Sequence, residues 1–107
     1  MTDPDKIRLC AEALGLGAAL RRTTDPAAKH PESAFRAYLG KKAPFWYDPL
    51  HDDAQCMALV KKFGLELKKV METWHVWNGD EGAVLSKDLN AAVVDCVAKM
   101  QAEKAVR

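Results

Sequence analysis

The spacing of apolar residues changes from helical to alternating at Gly64, which limits the chain to folds that contain both helices and strands. Before Gly64, apolar side chains recur three and four residues apart, at Cys56, Leu59, Val60 and Phe63. After Gly64, apolar and polar residues alternate in 65–68 and again in 74–77. The first spacing is typical of an amphipathic helix and the second of strands with one buried face.

Capping residues mark the ends of three predicted helices. Pro4 suits the first turn of a helix over 4–14, because its missing N–H needs no partner there. Asp52 and Gln55 form an N-terminal capping pair for a second helix, which ends at Gly64. A third helix follows from Ser86 or Asp88, and its apolar face consists of Leu89, Ala92, Val93, Cys96, Val97 and Met100.

Residues 15–47 have weaker periodicity. We interpret 15–33 as a loop that includes a short strand at 18–22. In 35–39 apolar residues alternate with Arg36 and Tyr38, and a second run follows at 45–47, which together favour a β-hairpin. A short helix over 31–39 is the competing interpretation.

These elements predict a single α+β domain over residues 1–107, in which three amphipathic helices pack on a small, mostly antiparallel sheet of three to four strands. Apolar residues make up 49% of the chain and charged residues 29%, which excludes an intrinsically disordered protein. No apolar run is long enough to span a membrane. The three cysteines have no C-x-x-C spacing and lie on apolar helix faces, so we expect buried free thiols in a reducing cytoplasm.

Two tryptophans on opposite faces of one predicted strand are the first indication of a binding surface. Trp74 and Trp77 lie in one predicted strand and point to opposite sides of it. If helices cover only one side, one indole is exposed to a partner or to a second subunit. If helices cover both sides, both indoles belong to the core.

Positive charge is concentrated in residues 17–42. This segment contains six Lys and Arg residues and two acidic residues, so its net charge is +4. Aromatic faces stack on bases, and cationic side chains neutralise phosphates. The predicted ligand or partner site therefore comprises Arg21, Arg22, Arg36, Lys41, Lys42, Trp46, Tyr47, Trp74, His75 and Trp77. A net charge of only +1 argues against binding to long duplex DNA.

No pattern in the chain argues for catalysis. Asp48, His51, Asp52 and Asp53 resemble a metal site in composition, but adjacent residues at a helix start point in different directions, and capping already accounts for one Asp. His75 is a lone histidine beside tryptophans. We expect no catalytic residue, no metal site, no cofactor and no enzyme activity.

Two parts of the chain, 5–16 and 45–102, resemble the small bacteriophage "phage ABA-sandwich domain" proteins. The segment WYDPLHDDAQCMALVKKFGLEL, the strand WHVW and the helix DLNAAVVDCVAKMQ carry the resemblance. Their landmarks are Tyr47, Pro49, Leu50, Asp52, Asp53, Leu59, Val60, Trp74, Val76, Asp88, Leu89, Asn90 and Ala92. Ala91 departs from the pattern, since an arginine is common there, and 17–44 are not covered.

The resemblance implies a phage accessory protein in the host bacterial cytoplasm, and the family has no common catalytic site to carry over. We therefore expect a non-enzymatic protein that counteracts anti-phage defence by binding a host defence protein or a nucleotide immune signal. We also expect a homo-oligomer, most simply a dimer. The alternatives are an enzyme or cofactor of phage nucleotide or DNA metabolism, and a minor virion or assembly component.

Overall fold

The computed structural model describes residues 2–22, 28–30, 34–79 and 82–106, and it confirms an α+β fold. The elements, in chain order, are α1 (Asp3–Ala13), a 3-10 turn (Gly17–Ala19), β1 (Leu20–Arg22), β2 (Phe35–Ala37), β3 (Phe45–Tyr47), α2 (Asp53–Phe63), β4 (Glu66–Val70), β5 (Thr73–Trp77), β6 (Val84–Ser86) and α3 (Leu89–Val106). Among these helices none has the length and apolarity needed to cross a bilayer.

The strands form two antiparallel sheets of three strands each, where the sequence predicts one small sheet. Sheet A has the order β1-β2-β3 and sheet B the order β4-β5-β6. The predicted hairpin is confirmed, because β2 pairs with β3, and the competing helix over 31–39 is wrong for 35–37. The short strand predicted within 18–22 is confirmed as β1. Residues 23–27 and 31–33 of the predicted loop lie outside the described residues.

The break in alternation between the two strand runs is a tight turn. Met71 has a φ of 56°, an uncommon value for a side chain other than glycine, and it reverses the chain between β4 and β5. The sequence Asn78-Gly79-Asp80 also predicts a turn after β5, but Asp80 lies outside the described residues. Strand β6 was not predicted. It spans three residues and includes Ser86, so α3 begins after Asp88 rather than at Ser86.

Asp52 and Gly64 cap α2 as predicted, but the Gln55 side chain bonds Trp46 and Asp48 instead of completing a capping box with the Asp52 backbone N–H, and α1 has an unpredicted cap at its N-terminus. Thr2 and Asp5 form a capping box at the start of α1, where Thr2 accepts a hydrogen bond from the Asp5 backbone. Asp52 accepts a hydrogen bond of 3.0 Å from the backbone N–H of Gln55. Gly64 ends α2 in the left-handed conformation with a φ of 61°.

Two apolar clusters hold the layers together, and α1 contributes to both. One cluster joins α1 to sheet A through Ile7, Ala11, Leu20, Phe35, Ala37 and Tyr47. The other joins α2, α3 and sheet B, and its fully buried members include Cys56, Leu59, Val76, Val93 and Val97. Cys10 belongs to this second cluster, and α1 also packs against α3. Each sheet therefore turns one face to the helices and the opposite face away from them.

All three cysteines are buried free thiols, as predicted. The Cys10 Sγ–H donates a hydrogen bond of 3.6 Å to the Val94 carbonyl oxygen. Burial raises the pKa of the Cys10 thiol to about 12 and that of the Cys56 thiol to about 11. These thiols remain protonated at neutral pH and act as small apolar side chains.

Candidate functional site

The face of sheet A that points away from α1 carries a cross-strand row of three polar and aromatic residues. Phe35 and Ala37 point toward α1 and are buried, so Arg36 between them points to the opposite face. Strand pairing places Arg36 directly opposite Arg21 on one side and opposite Trp46 on the other. We call this row the Arg21–Arg36–Trp46 row.

Within the row, Arg36 stacks on the indole ring of Trp46. The Arg36 Cζ lies 4.5 Å from the ring centroid, within the range of a cation–π contact. Across residues 2–22, 28–30, 34–79 and 82–106, no acidic side chain pairs with Arg36. Its positive charge is thus held in place by an aromatic ring and remains available to an anion.

Arg21 extends the positive charge along the same row. Its Nη1 donates hydrogen bonds to the backbone oxygens of Leu20, at 2.8 Å, and Ala18, at 3.1 Å. These contacts orient the guanidinium but do not neutralise it.

A pocket of about 290 Å³ adjoins Trp46 on this face. Its volume is close to the lower end of the roughly 300 to 1,000 Å³ that small-molecule sites occupy. It lies between sheet A, the start of α2 and the segment 28–30, and it is lined by Lys29, His30, Ala34, Trp46, Asp48, His51, Asp52 and Gln55.

Two stacked imidazole rings form part of the pocket wall. The ring centroids of His30 and His51 are 3.6 Å apart, and the ring planes differ by 10°. His51 Nδ1 lies 2.8 Å from Asp48 Oδ2, and Asp48 is only 6% exposed. The carboxylate fixes the orientation of the His51 ring, and the stack presents a flat aromatic edge to the pocket.

The turn that follows β3 positions Asp48 and His51. Pro49 fixes its own φ and favours an extended Asp48, as the sequence indicates. The Asp48 carbonyl oxygen then accepts hydrogen bonds from the backbone N–H groups of His51, at 3.0 Å, and Asp52, at 2.9 Å. Three pocket residues are therefore supplied by one short turn.

Two side-chain hydrogen bonds of Gln55 connect this turn to α2. Its Nε2 donates to the Trp46 carbonyl oxygen at 2.6 Å, and its Oε1 accepts from the Asp48 backbone N–H at 2.7 Å. Gln55 thus fixes both residues that flank Tyr47, including the residue that carries the indole.

The acidic residues of the possible metal site are committed to separate roles. Asp52 caps α2, Asp48 pairs with His51, and Asp53 Oδ1 accepts a hydrogen bond of 2.9 Å from Asn90 Nδ2. In the part of the chain that the structure describes, no three His, Cys, Asp or Glu side chains converge as metal ligands would.

The structure divides the predicted site residues between two sheets. Trp74 packs against the core cluster of sheet B, whereas His75 and Trp77 have the opposite parity and lie on the outer face of that sheet. Leu85 lies directly opposite His75 on the same outer face and is 58% exposed. These residues form a second surface and do not contribute to the pocket beside Trp46.

Tyr47 belongs to the core and not to a binding surface. Its side chain is 3% exposed, and burial, followed by the nearby Cys10 and Cys56 thiols, raises the pKa of its hydroxyl. The hydroxyl has no hydrogen-bond partner among the described residues. The sequence prediction of Tyr47 as a contact residue is therefore not supported by its position.

The remaining basic residues flank the row without joining it. Arg22 lies with its Cζ 5.2 Å from the Phe35 ring centroid, and its Nη1 donates to the Ala34 carbonyl oxygen at 3.2 Å. Lys41 and Lys42 lie exposed in the turn between β2 and β3, which Gly40 opens with a φ of 56°.

His51 was considered only as a member of the possible metal site. The residues of this surface that were not predicted as site residues are Lys29, His30, Ala34, Tyr38 and Gln55. Tyr38 shares the parity of Arg36, so the alternation of β2 contains a signal for it. His30 comes from a segment without periodicity, and its contact with His51 spans 21 residues, so no local pattern indicates it.

Comparison with known proteins found no matching family model, no matching curated protein and no matching solved structure. The resemblance to the phage ABA-sandwich domain proteins therefore stays a prediction from the residues that carry it.

Proposed function

We propose that this protein acts by binding a nucleotide on the outer face of sheet A and leaves the nucleotide chemically unchanged. The observation that carries the proposal is the guanidinium of Arg36, stacked 4.5 Å from the Trp46 ring centroid at the edge of a pocket. A nucleotide combines a flat aromatic base with an anionic phosphate, and this site combines aromatic rings with the Arg36 guanidinium, which pairs with no acidic side chain among the described residues.

Charge distribution suggests how such a ligand lies in the site. Asp48 and Asp52 line the side of the pocket formed by the start of α2, and their carboxylates repel a phosphate. Arg36 lies outside this lining, stacked on the Trp46 ring. The phosphate therefore fits beside Arg36, and the base fits between Trp46 and the stacked histidines.

The biological setting in this proposal rests on the phage resemblance. A phage protein that holds a nucleotide without converting it removes a nucleotide immune signal from the host cytoplasm by stoichiometric binding. A host defence protein is the other target in this setting. The overall charge of +1 favours a small ligand over long duplex DNA.

We also propose that the protein forms a dimer through the outer face of sheet B. Trp77 and His75 lie on this face, Leu85 is 58% exposed, and Val70 at the end of β4 is 42% exposed. A second copy that covers these side chains removes apolar surface from water.

Isothermal titration calorimetry with AMP, GMP, CMP and UMP tests nucleotide binding. We expect at least one nucleotide to bind to the unmodified protein, and we expect Trp46→Ala to lose that binding. Lys62→Gln, a change of an exposed residue at the far end of α2, serves as the control and should retain it. The absence of binding by all four nucleotides contradicts the proposal.

One observation favours an enzyme as the second candidate. The 2.8 Å contact between Asp48 and His51 is an arrangement that general bases use, since the carboxylate orients the imidazole. Chromatography of each nucleotide after incubation with the protein separates the two candidates. Recovery of the intact nucleotide supports binding alone, whereas a new product peak that disappears in His51→Ala supports catalysis.

A further inference from the structure

Tyr38 adds a second exposed aromatic ring to the outer face of sheet A. Its side chain is 52% exposed, and it continues the alternation of β2 beyond Arg36. Its backbone N–H donates a hydrogen bond of 2.9 Å to the Ala19 carbonyl oxygen, which extends the pairing between β1 and β2. Tyr38 is therefore held in the sheet and points to the same side as Arg36.

Arg36 is the neighbour of the exposed Tyr38 and of the half-buried Trp46. Tyr38 lies two residues beyond Arg36, directly after the end of β2 at Ala37, and Trp46 lies directly opposite Arg36 in the strand pairing. Tyr38 and Trp46 are then diagonal neighbours at roughly 7 to 8 Å. The Arg36 guanidinium is thus adjacent to two aromatic side chains on one surface.

The charge of this surface suits one anionic group between two rings. Arg36 has no acidic partner within the described residues, and Arg21 lies directly opposite it. The Arg36 guanidinium therefore lies beside the position where a ligand that spans the two rings carries its bridging group, while the Arg21 guanidinium is hydrogen-bonded to the carbonyl oxygens of Leu20 and Ala18 at the edge of β1. Of nucleotide components, a phosphodiester is the anion that links two stacking bases.

We infer that this face binds a ligand with two bases joined by a phosphodiester, an inference that rests on the proposed nucleotide binding. One base enters the pocket beside Trp46, the phosphodiester lies against Arg36, and the second base stacks on Tyr38. Stacking does not depend strongly on base identity, so the inference concerns the number of bases and not their sequence.

The test is calorimetry with three probes: AMP, the dinucleotide ApA and an adenine pentanucleotide. We expect ApA to bind more tightly than AMP by about 5- to 150-fold, the gain from one stacked base. Tyr38→Ala should remove this gain and leave the affinity for AMP unchanged. Lys62→Gln, a change of an exposed residue in the last turn of α2, should leave both affinities unchanged.

Each contrary result has a distinct meaning. Equal affinities for AMP and ApA, or an ApA affinity that Tyr38→Ala does not alter, overturn the two-base inference and leave the proposed nucleotide binding intact. A pentanucleotide that binds ten times more tightly than ApA also overturns the inference, because the surface then contacts more than two bases. Failure of all three adenine probes overturns the inference, and the proposed function falls with it only if GMP, CMP and UMP also fail to bind.

Discussion

Arg36 and Trp46 are ten positions apart in the chain, yet the Arg36 Cζ lies 4.5 Å from the Trp46 ring centroid because the two residues are directly paired across β2 and β3. The contact lies on the open face of sheet A, at the edge of the pocket. An exposed cation–π contact contributes only about 0.5 to 1 kcal/mol, so its value to the fold is small. Its consequence for function is larger, since it holds a positive charge beside an aromatic wall.

Replacing Arg36 with Gln should weaken nucleotide binding and leave stability almost unchanged. The variant loses charge-assisted hydrogen bonds to phosphate, which contribute about 1.5 to 3 kcal/mol, or roughly a 10- to 150-fold change in affinity. Arg36→Lys keeps the charge but loses the planar stack, and we expect an intermediate affinity. Calorimetry and urea unfolding measure the two effects, and an unchanged affinity in Arg36→Gln would exclude phosphate from this position.

Replacing Gln55 with Ala should lower the free energy of unfolding by about 1 to 3 kcal/mol, since two hydrogen bonds to the chain around Tyr47 are lost. It should also weaken nucleotide binding, because Trp46 and Asp48 lose their fixed positions. Lys61→Ala, an exposed site on the same helix, corrects for helix propensity in the urea unfolding measurement. Equal stability of the two variants would show that the Gln55 contacts contribute nothing.

Stability should fall as the pH rises from about 9 toward 12. In the unfolded chain the thiols ionise near their ordinary pKa of 9.0, whereas burial keeps Cys10 protonated up to about 12 and Cys56 up to about 11. Their contribution is therefore complete below pH 9 and is lost through the alkaline range. Urea unfolding at pH 7.5 and pH 10.5 measures this loss.

A variant without the two thiols tests whether they cause the loss of stability at alkaline pH. The loss should be smaller when Cys10 and Cys56 are both replaced by alanine, even though that variant starts from a lower stability. Native protein should also resist alkylation by iodoacetamide at pH 8. Rapid alkylation of either thiol in the native state contradicts the burial on which this prediction depends.

Replacing Leu85 with Glu should dissociate the proposed dimer. Leu85 is 58% exposed in one subunit, so the change does not disturb the subunit core, but it places a charge in the apolar contact. Analytical ultracentrifugation should give the dimer mass for the unmodified protein and for Met57→Glu, an exposed α2 control, and the monomer mass for Leu85→Glu. A monomeric unmodified protein refutes the proposed dimer.

Local signals predict the fold well where one residue type dictates one backbone geometry. Asp52 and Gly64 set the ends of α2 correctly, because a capping carboxylate and a left-handed glycine act within one turn of chain. Alternation predicts β2, β4 and β5, and the run at 45–47 predicts β3. Alternation does not predict β6, whose three residues are too few for a period to be recognised, nor the division of the strands into two sheets.

The candidate site is only partly predictable, because its contacts depend on which strands pair. Charge and aromatic content indicate Arg21, Arg36 and Trp46, and strand register brings them together. The same reasoning also selects Trp77 and His75, which lie on the other sheet, and Tyr47, which points inward. Parity within a strand separates Tyr47 from Trp46, but nothing local brings His30 to His51.

The central claim is that a nucleotide binds beside Trp46, and the three indole N–H signals of the protein test it most directly. In a heteronuclear NMR titration with the nucleotide that calorimetry shows to bind tightest, the Trp46 indole signal should shift progressively. The signals of Trp74, in the core of sheet B, and Trp77, on its outer face, should remain in place. A titration that shifts the Trp77 signal instead, or none of the three, contradicts the account.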